Sequence, residues 1–157
     1  MMNDQNKDRL AVFVATFGYS GYLKPAPGTW GSLAAMLLAP VLFMPLNLPG
    51  RIAVLLLVLA AGTWAAGESE RIMGRKDPGC VVIDEVLGLW AAYALFPELS
   101  AIGYLLGFGL FRLFDITKPW PVRQMETAFK GGLGVMVDDV AAGAYAAISL
   151  GIIRWVF

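Results

Sequence analysis

The stretch GGLGVMVDDVAAG, residues 131–143, decides how this chain is read. Three glycines in its first four positions let the backbone approach a ligand closely, because no Cβ stands in the way. Two adjacent carboxylates, Asp138 and Asp139, follow at the mouth of an apolar helix expected from about residue 140 to the C-terminus. Paired oxygens of that kind suit a hard divalent cation. Three other stretches repeat the design of a few polar groups against a long apolar run: PGTWGS (27–32), IDEVLG (83–88) and FRLFDITKPWP (111–121).

Composition narrows the chemistry. The 157 residues are 58% hydrophobic and the mean hydropathy is +0.65, above the range usual for a soluble domain. Length alone gives one domain, residues 1–157. Net charge is zero, so no nucleic-acid footprint is present. The lone Cys80 excludes an internal disulfide and a multi-cysteine zinc site. With no histidine in the chain, imidazole acid–base catalysis and His-ligated metals are excluded, and carboxylate oxygen remains as the metal-binding vocabulary.

Five apolar runs are expected as helices: 33–48, 52–67, 81–96, 99–114, and about 140 to the end. Residues 1–9 read as a polar, disordered tail, 10–17 as a short helix and 123–129 as another. None of the five runs reaches the ~20 residues of a standard spanning helix, but the charges sort. With the start of the chain inside and the runs traversed alternately, ten of the twelve basic residues fall on the inner side. Only Arg51 and Arg154 lie outside, the bias of the positive-inside rule. Eleven of the twelve acidic residues join the inner side, leaving Glu98 outside. The expected fold class is therefore all-α: a membrane-embedded helical bundle with about five apolar helices, its polar motif loops gathered on the cytoplasmic side.

Acids at a helix start complement the helix dipole, and one such pair needs no further reason. Asp84-Glu85, Asp138-Asp139 and Asp115 at one depth, however, would repel one another without a cation. Arg112, Asp115 and Lys118 recur every three residues and share a helix face; Arg112 and Lys118 suit phosphate oxygens. Thr29 or Ser32 is expected to cap the run that starts at Leu33 and leave amides free for an anion. Neither PGTWGS nor KGGLG has phosphate-loop spacing, so each gains weight only from facing the carboxylates.

With these four motifs in this order, the chain resembles bacterial phosphatidylglycerophosphatase A over nearly its whole length. The resemblance implies a Mg²⁺-dependent, mostly helical, multi-pass enzyme of the inner membrane, its site facing the cytoplasm. Its substrate would be the phospholipid phosphatidylglycerophosphate, dephosphorylated to phosphatidylglycerol on the way to cardiolipin. It also implies that Asp84, Glu85, Asp115, Asp138 and Asp139 are metal and catalytic residues, and Asp77 of the DPG turn matches the family pattern. On this reading one or two Mg²⁺ ions orient an in-line water, and Asp139 or Asp84 is the base. Asp115 joins the metal, while Arg112, Lys118, Lys130 and amides near Thr29, Ser32 and Gly132 hold phosphate. An aspartyl-phosphate route competes, but Asp115 is not followed by the D-x-D-x-[TV] pattern. Two other functions remain open: a headgroup phosphotransferase of the CDP-alcohol type, only faintly echoed in DDVAAG, and a membrane ion or substrate carrier. A carrier would be expected to place acids near the midplane or on both sides rather than crowd them on one.

Overall fold

A computed structural model describes residues 4–129 and 131–156, and among these every regular element is helical. The helices are α1 (Asp4–Ala15), α2 (Pro27–Leu42), α3 (Leu48–Met73), α4 (Ile83–Tyr93), α5 (Ala101–Thr117), α6 (Val122–Ala128) and α7 (Gly132–Val156), with a 3₁₀ turn at Ser20–Tyr22.

Helix α4 is the centre. Eight of its eleven residues are buried, and a helix apolar on every side belongs in a core. Its polar tips are satisfied without water: the Trp90 indole N–H donates to Ala35 O at 3.0 Å and the Tyr93 hydroxyl to Tyr104 O at 2.8 Å. Helices α2, α3, α5 and α7 surround it.

The expected helix boundaries shift in informative ways. The glycines of PGTWGS do not precede a helix; Pro27 opens α2 and they lie within its first turns. No side chain caps that helix, and Ser32 instead donates its hydroxyl back to Gly28 O at 2.8 Å. Pro40 sits inside α2 without ending it. Helix α3 continues through the charged stretch to Met73, where Gly74 at φ 64 closes it. Helix α7 starts at Gly132, so Asp138 and Asp139 lie in its second turn rather than at its mouth. Part of the expected disordered tail, from Asp4 onward, is the start of α1. There Lys7 meets Glu68 at 3.2 Å, and Asp8 pairs with Arg71, both near the end of α3.

Of the about five apolar helices expected, two are candidate membrane spans. Among the described residues, only α3 and α7 are long and apolar enough to cross a membrane, at about 39 and 38 Å of helical rise against roughly 30 Å of hydrocarbon. Only 17% of the apolar window of α3 is buried in the protein, which separates it from the core helix of a soluble bundle. Helix α4, at about 16 Å, is half the needed length. Sequence runs could not show this, because apolarity marks burial in protein and in lipid alike.

The end of the bundle away from the carboxylates is organised by Arg51, which is 5% exposed. Its guanidinium donates to the carbonyls of Leu46, Met44, Ala94, Phe96 and Pro97. These acceptors lie in the connections that follow α2 and α4, where no helix supplies a donor. Arg51→Ala is expected to lower the unfolding free energy by about 3 kcal/mol or more, read by thermal unfolding in detergent. Arg51→Lys should recover only part, because an ammonium cannot reproduce the planar fork.

Candidate active site

Three chain segments bring carboxylates to the opposite end. The first is the entry to α4, which is clamped by close backbone approach. A Cβ at Gly21 would stand 2.0 Å from Cys80 O, and one at Gly31 would stand 2.6 Å from the Val82 side chain. Val82 N–H donates to Ala15 O at 2.8 Å. Held this way, α4 presents Asp84 and Glu85 from its first turn. The second segment is the end of α5, which carries Arg112, Asp115 and Lys118. Lys118 adopts a left-handed backbone, φ 43, that turns the chain off the helix. The third is α7, with Asp138 and Asp139 buried at 5% and 3% exposure.

Helices α4 and α7 meet through glycine. A Cβ on Gly88 would lie 2.5 Å from Asp139 O, and one on Gly143 would lie 2.2 Å from Gly88 O. Small residues on both sides allow backbone-to-backbone contact, and that contact sets Asp139 against the first turn of α4.

The result is a cavity of about 220 Å³. Six carboxylates line it (Asp77, Asp84, Glu85, Asp115, Asp138 and Asp139), with two ammonium groups, Lys76 and Lys118. Carboxylate oxygens of Asp84, Glu85 and Asp139 all lie within 4.8 Å of one another. Asp84 Oδ1, Glu85 Oε2 and Asp139 Oδ2 are buried without a hydrogen-bond donor. Buried acceptors left in this state are costly, and hard oxygen ligands around a common point fit a divalent cation such as Mg²⁺. Burial holds the Asp84 carboxyl well above its ordinary range, with Glu85 adding to it. Burial likewise pushes Glu85 up to about 8; hydrogen bonding to Asp84 opposes this, the nearby charges of Asp139 and Asp115 reinforce it, and Arg112 also opposes it.

The other two expected ligands have cationic partners. Asp115 Oδ2 accepts from Arg112 Nη1 at 2.6 Å, and Asp138 Oδ2 accepts from Lys118 Nζ at 2.7 Å. Arg112 also approaches Glu85 Oε1 at 3.6 Å. It does not line the cavity; it stands behind two of the carboxylates, while Lys118 lies on the wall itself. Thr29 and Ser32 are not on the wall either, and Ser32 is fully buried. The glycine beside them serves packing: a Cβ at Gly28 would stand 2.1 Å from Glu85 Oε1. Gly132 packs on α3, where a Cβ would meet Thr63 O at 2.1 Å, and its neighbours Gly131 and Gly134 line the cavity instead. Lys130 lies outside the described residues. Lys76 and Phe129 line the cavity without having been singled out from sequence, and nothing but the nearby DPG turn marks Lys76.

A family profile described as phosphatidylglycerophosphatase A matches residues 13–154. A protein of Bacteroides thetaiotaomicron, provisionally named a phosphatidylinositol-3-phosphatase, is 40% identical across 94% of this chain and 95% of its own. The phosphatidylglycerophosphatase A of Haemophilus influenzae is 40% identical across 82% of this chain and 79% of its own. That of Escherichia coli is 34% identical, covering 88% and 79%. No solved structure matches.

Replacing Gly143 with alanine inserts a methyl where 2.2 Å separates it from Gly88 O. The variant is expected to lose about 1–3 kcal/mol of stability and to bind divalent cation at least about ten-fold more weakly, because Asp139 moves away from Asp84 and Glu85. Thermal unfolding and isothermal titration in detergent check the two effects separately.

Proposed function

Because the chain belongs to the phosphatidylglycerophosphatase A family, we propose that its cavity carboxylates hold magnesium while its lysines receive the phosphate of a lipid. The reaction is hydrolysis of phosphatidylglycerophosphate to phosphatidylglycerol and inorganic phosphate. The observation that carries the metal reading is the group of three donorless, buried carboxylate oxygens on Asp84, Glu85 and Asp139.

Magnesium bound there would neutralise charge on the phosphoryl oxygens and polarise phosphorus. Lys118 and Lys76, on the cavity wall, neutralise the remaining phosphate charge as point charges. Arg112 acts indirectly, fixing Asp115 at 2.6 Å and standing near Glu85. Asp84, Glu85 and Asp139 would hold the cation, and Asp115, on the same wall, takes the proton of the attacking water. The water oxygen bonds to phosphorus, the bond from phosphorus to the glycerol oxygen breaks, and Asp115 returns the proton it accepted to that oxygen, which leaves as the alcohol.

The same reading sets the protein in the bacterial inner membrane, multi-pass, with the cavity at the cytoplasmic face. Two helices long enough to cross support it, as do Lys76 and Lys118 on the cavity wall, with Arg51 and Arg154 at the far end. The Bacteroides relative's name favours the same phosphomonoester chemistry on an inositol lipid as a second reading. Phosphate release from purified protein separates the two. Phosphatidylglycerophosphate is expected to be turned over with a kcat/KM at least about ten-fold above that of phosphatidylinositol 3-phosphate, and chelation should abolish both. The reverse order would assign the inositol lipid.

Asp139→Asn is expected to lower kcat by about a thousand-fold or more while the protein remains folded in detergent, since the change removes a ligand charge and keeps the shape. Wild-type turnover by this variant would remove Asp139 from the site.

The raised Glu85 and Asp84 carboxyls also give a pH signature. A folded-state pKa above the unfolded one means the native protein holds protons that the unfolded chain releases. Cation-free stability should therefore be full below the ordinary carboxylate range and fall as pH rises towards about 8. Magnesium affinity should rise over the same interval, because the cation displaces those protons. Thermal unfolding with magnesium and with chelator, from pH 5 to 9, should diverge as pH increases.

A further inference from the structure

A second depression runs beside the carboxylate cavity, down an outer face of α7. Pro121 and Met125 form one wall, and Val137, Ala141, Ala144 and Ile148 the other. Its volume is about 360 Å³. The one side-chain hydroxyl on it belongs to Tyr145, which donates to Trp120 O at 2.9 Å. Chain neighbours place this groove next to the cavity. On α7, Val137 lines the groove and the next residue, Asp138, lines the cavity. On the connection leaving α5, Lys118 lines the cavity and Pro121 the groove. The Tyr145–Trp120 bond ties the two walls together beside that junction.

We propose that this groove receives an acyl chain of the lipid phosphomonoester and so brings the headgroup to the carboxylates. The inference rests on the phosphatase reading and adds where the hydrophobic part of the substrate lies. Such a substrate joins a hydrocarbon tail to a doubly charged phosphate, and an apolar channel opening beside a lysine–carboxylate cavity matches that sequence of chemistries. From Val137 to Ile148 the helix rises about 16 Å, a length over which an extended tail stays in contact. Ala141 and Ala144 keep the floor low. Three other depressions lie elsewhere. Two are at the far end, lined by Arg51 and by Arg154, and one beside α1 carries Asp8 and Arg9.

Ala144 is exposed, so a larger side chain there fills the groove without entering the core. The full chain in detergent with magnesium is assayed on diacyl phosphatidylglycerophosphate and on its deacylated, water-soluble headgroup. Ala144→Phe is expected to raise KM for the diacyl lipid about ten-fold and to leave the headgroup kinetics unchanged. Ala60→Phe, an equal change on the exposed face of α3, should alter neither. In parallel, a diacyl phosphomonoester with a diazirine in its tail should label residues 137–148 in the wild type and several-fold less in Ala144→Phe. Wild-type kinetics for Ala144→Phe on the lipid, or label concentrated elsewhere, would overturn the groove. Equal losses on both substrates accompanied by a smaller oligomer would overturn it in favour of a second copy seated there. If the wild type releases phosphate from neither substrate, the phosphatase reading itself fails, and the labelling pattern still decides whether a tail occupies the groove.

Discussion

The close contact of α4 with α7 is the constraint on which the site depends. Gly88 and Gly143 remove the two Cβ atoms that would hold the helices apart, and the backbones meet at Asp139 O and Gly88 O. Side chains of ordinary size would set the axes ~8–10 Å apart. At that spacing the carboxylates of Asp84 and Glu85 on one helix and Asp139 on the other would not share a cluster 4.8 Å across. The packing energy of the core and the chemistry of the site thus run through one interface. Similar contacts at Gly31 against Val82 and Gly28 against Glu85 hold the first turn of α4 from its other side.

The two ends of the bundle solve opposite electrostatic problems. At the far end, the connections after α2 and α4 present carbonyl oxygens, and one buried guanidinium, Arg51, gathers five of them. At the cavity end the excess is negative charge. Arg112 and Lys118 bond to Asp115 and Asp138, while oxygens of Asp84, Glu85 and Asp139 remain without donors. A core residue in place of these carboxylates would be more stable. Three such oxygens within 4.8 Å of one another could hold a cation, which turns mutual repulsion into attraction.

Much of the site was legible because carboxylates in an apolar chain without histidine have few roles open to them. Asp84, Glu85, Asp115, Asp138 and Asp139 could be gathered from helix alternation alone, and the structure brings all five to one cavity. The glycine motifs were misread. Gly28, Gly31 and Gly132 looked like phosphate loops, yet they lie inside helices as contact points for Glu85, Val82 and Thr63. Glycine permits close approach by anything, and a sequence does not say whether that is a ligand or a neighbouring helix. Arg112 was placed on the phosphate for its charge, whereas the geometry turns it towards Asp115 and Glu85. Helix-face spacing set its direction around α5 but not which element stood opposite.

What the sequence determined by itself is the chemistry: an all-helical, apolar chain in which any metal ligand must be carboxylate or carbonyl oxygen rather than histidine. Those conclusions follow from composition and from periodicity, which are local. Which helices are long enough to cross a membrane, and that short α4 is the protein core, was decided by tertiary structure, since burial in lipid and in protein select the same side chains. The same holds for the three carboxylates that converge and the two with cationic partners. That division depends on interhelical distances of a few ångströms, set by glycines far apart in the chain, and no local pattern encodes them.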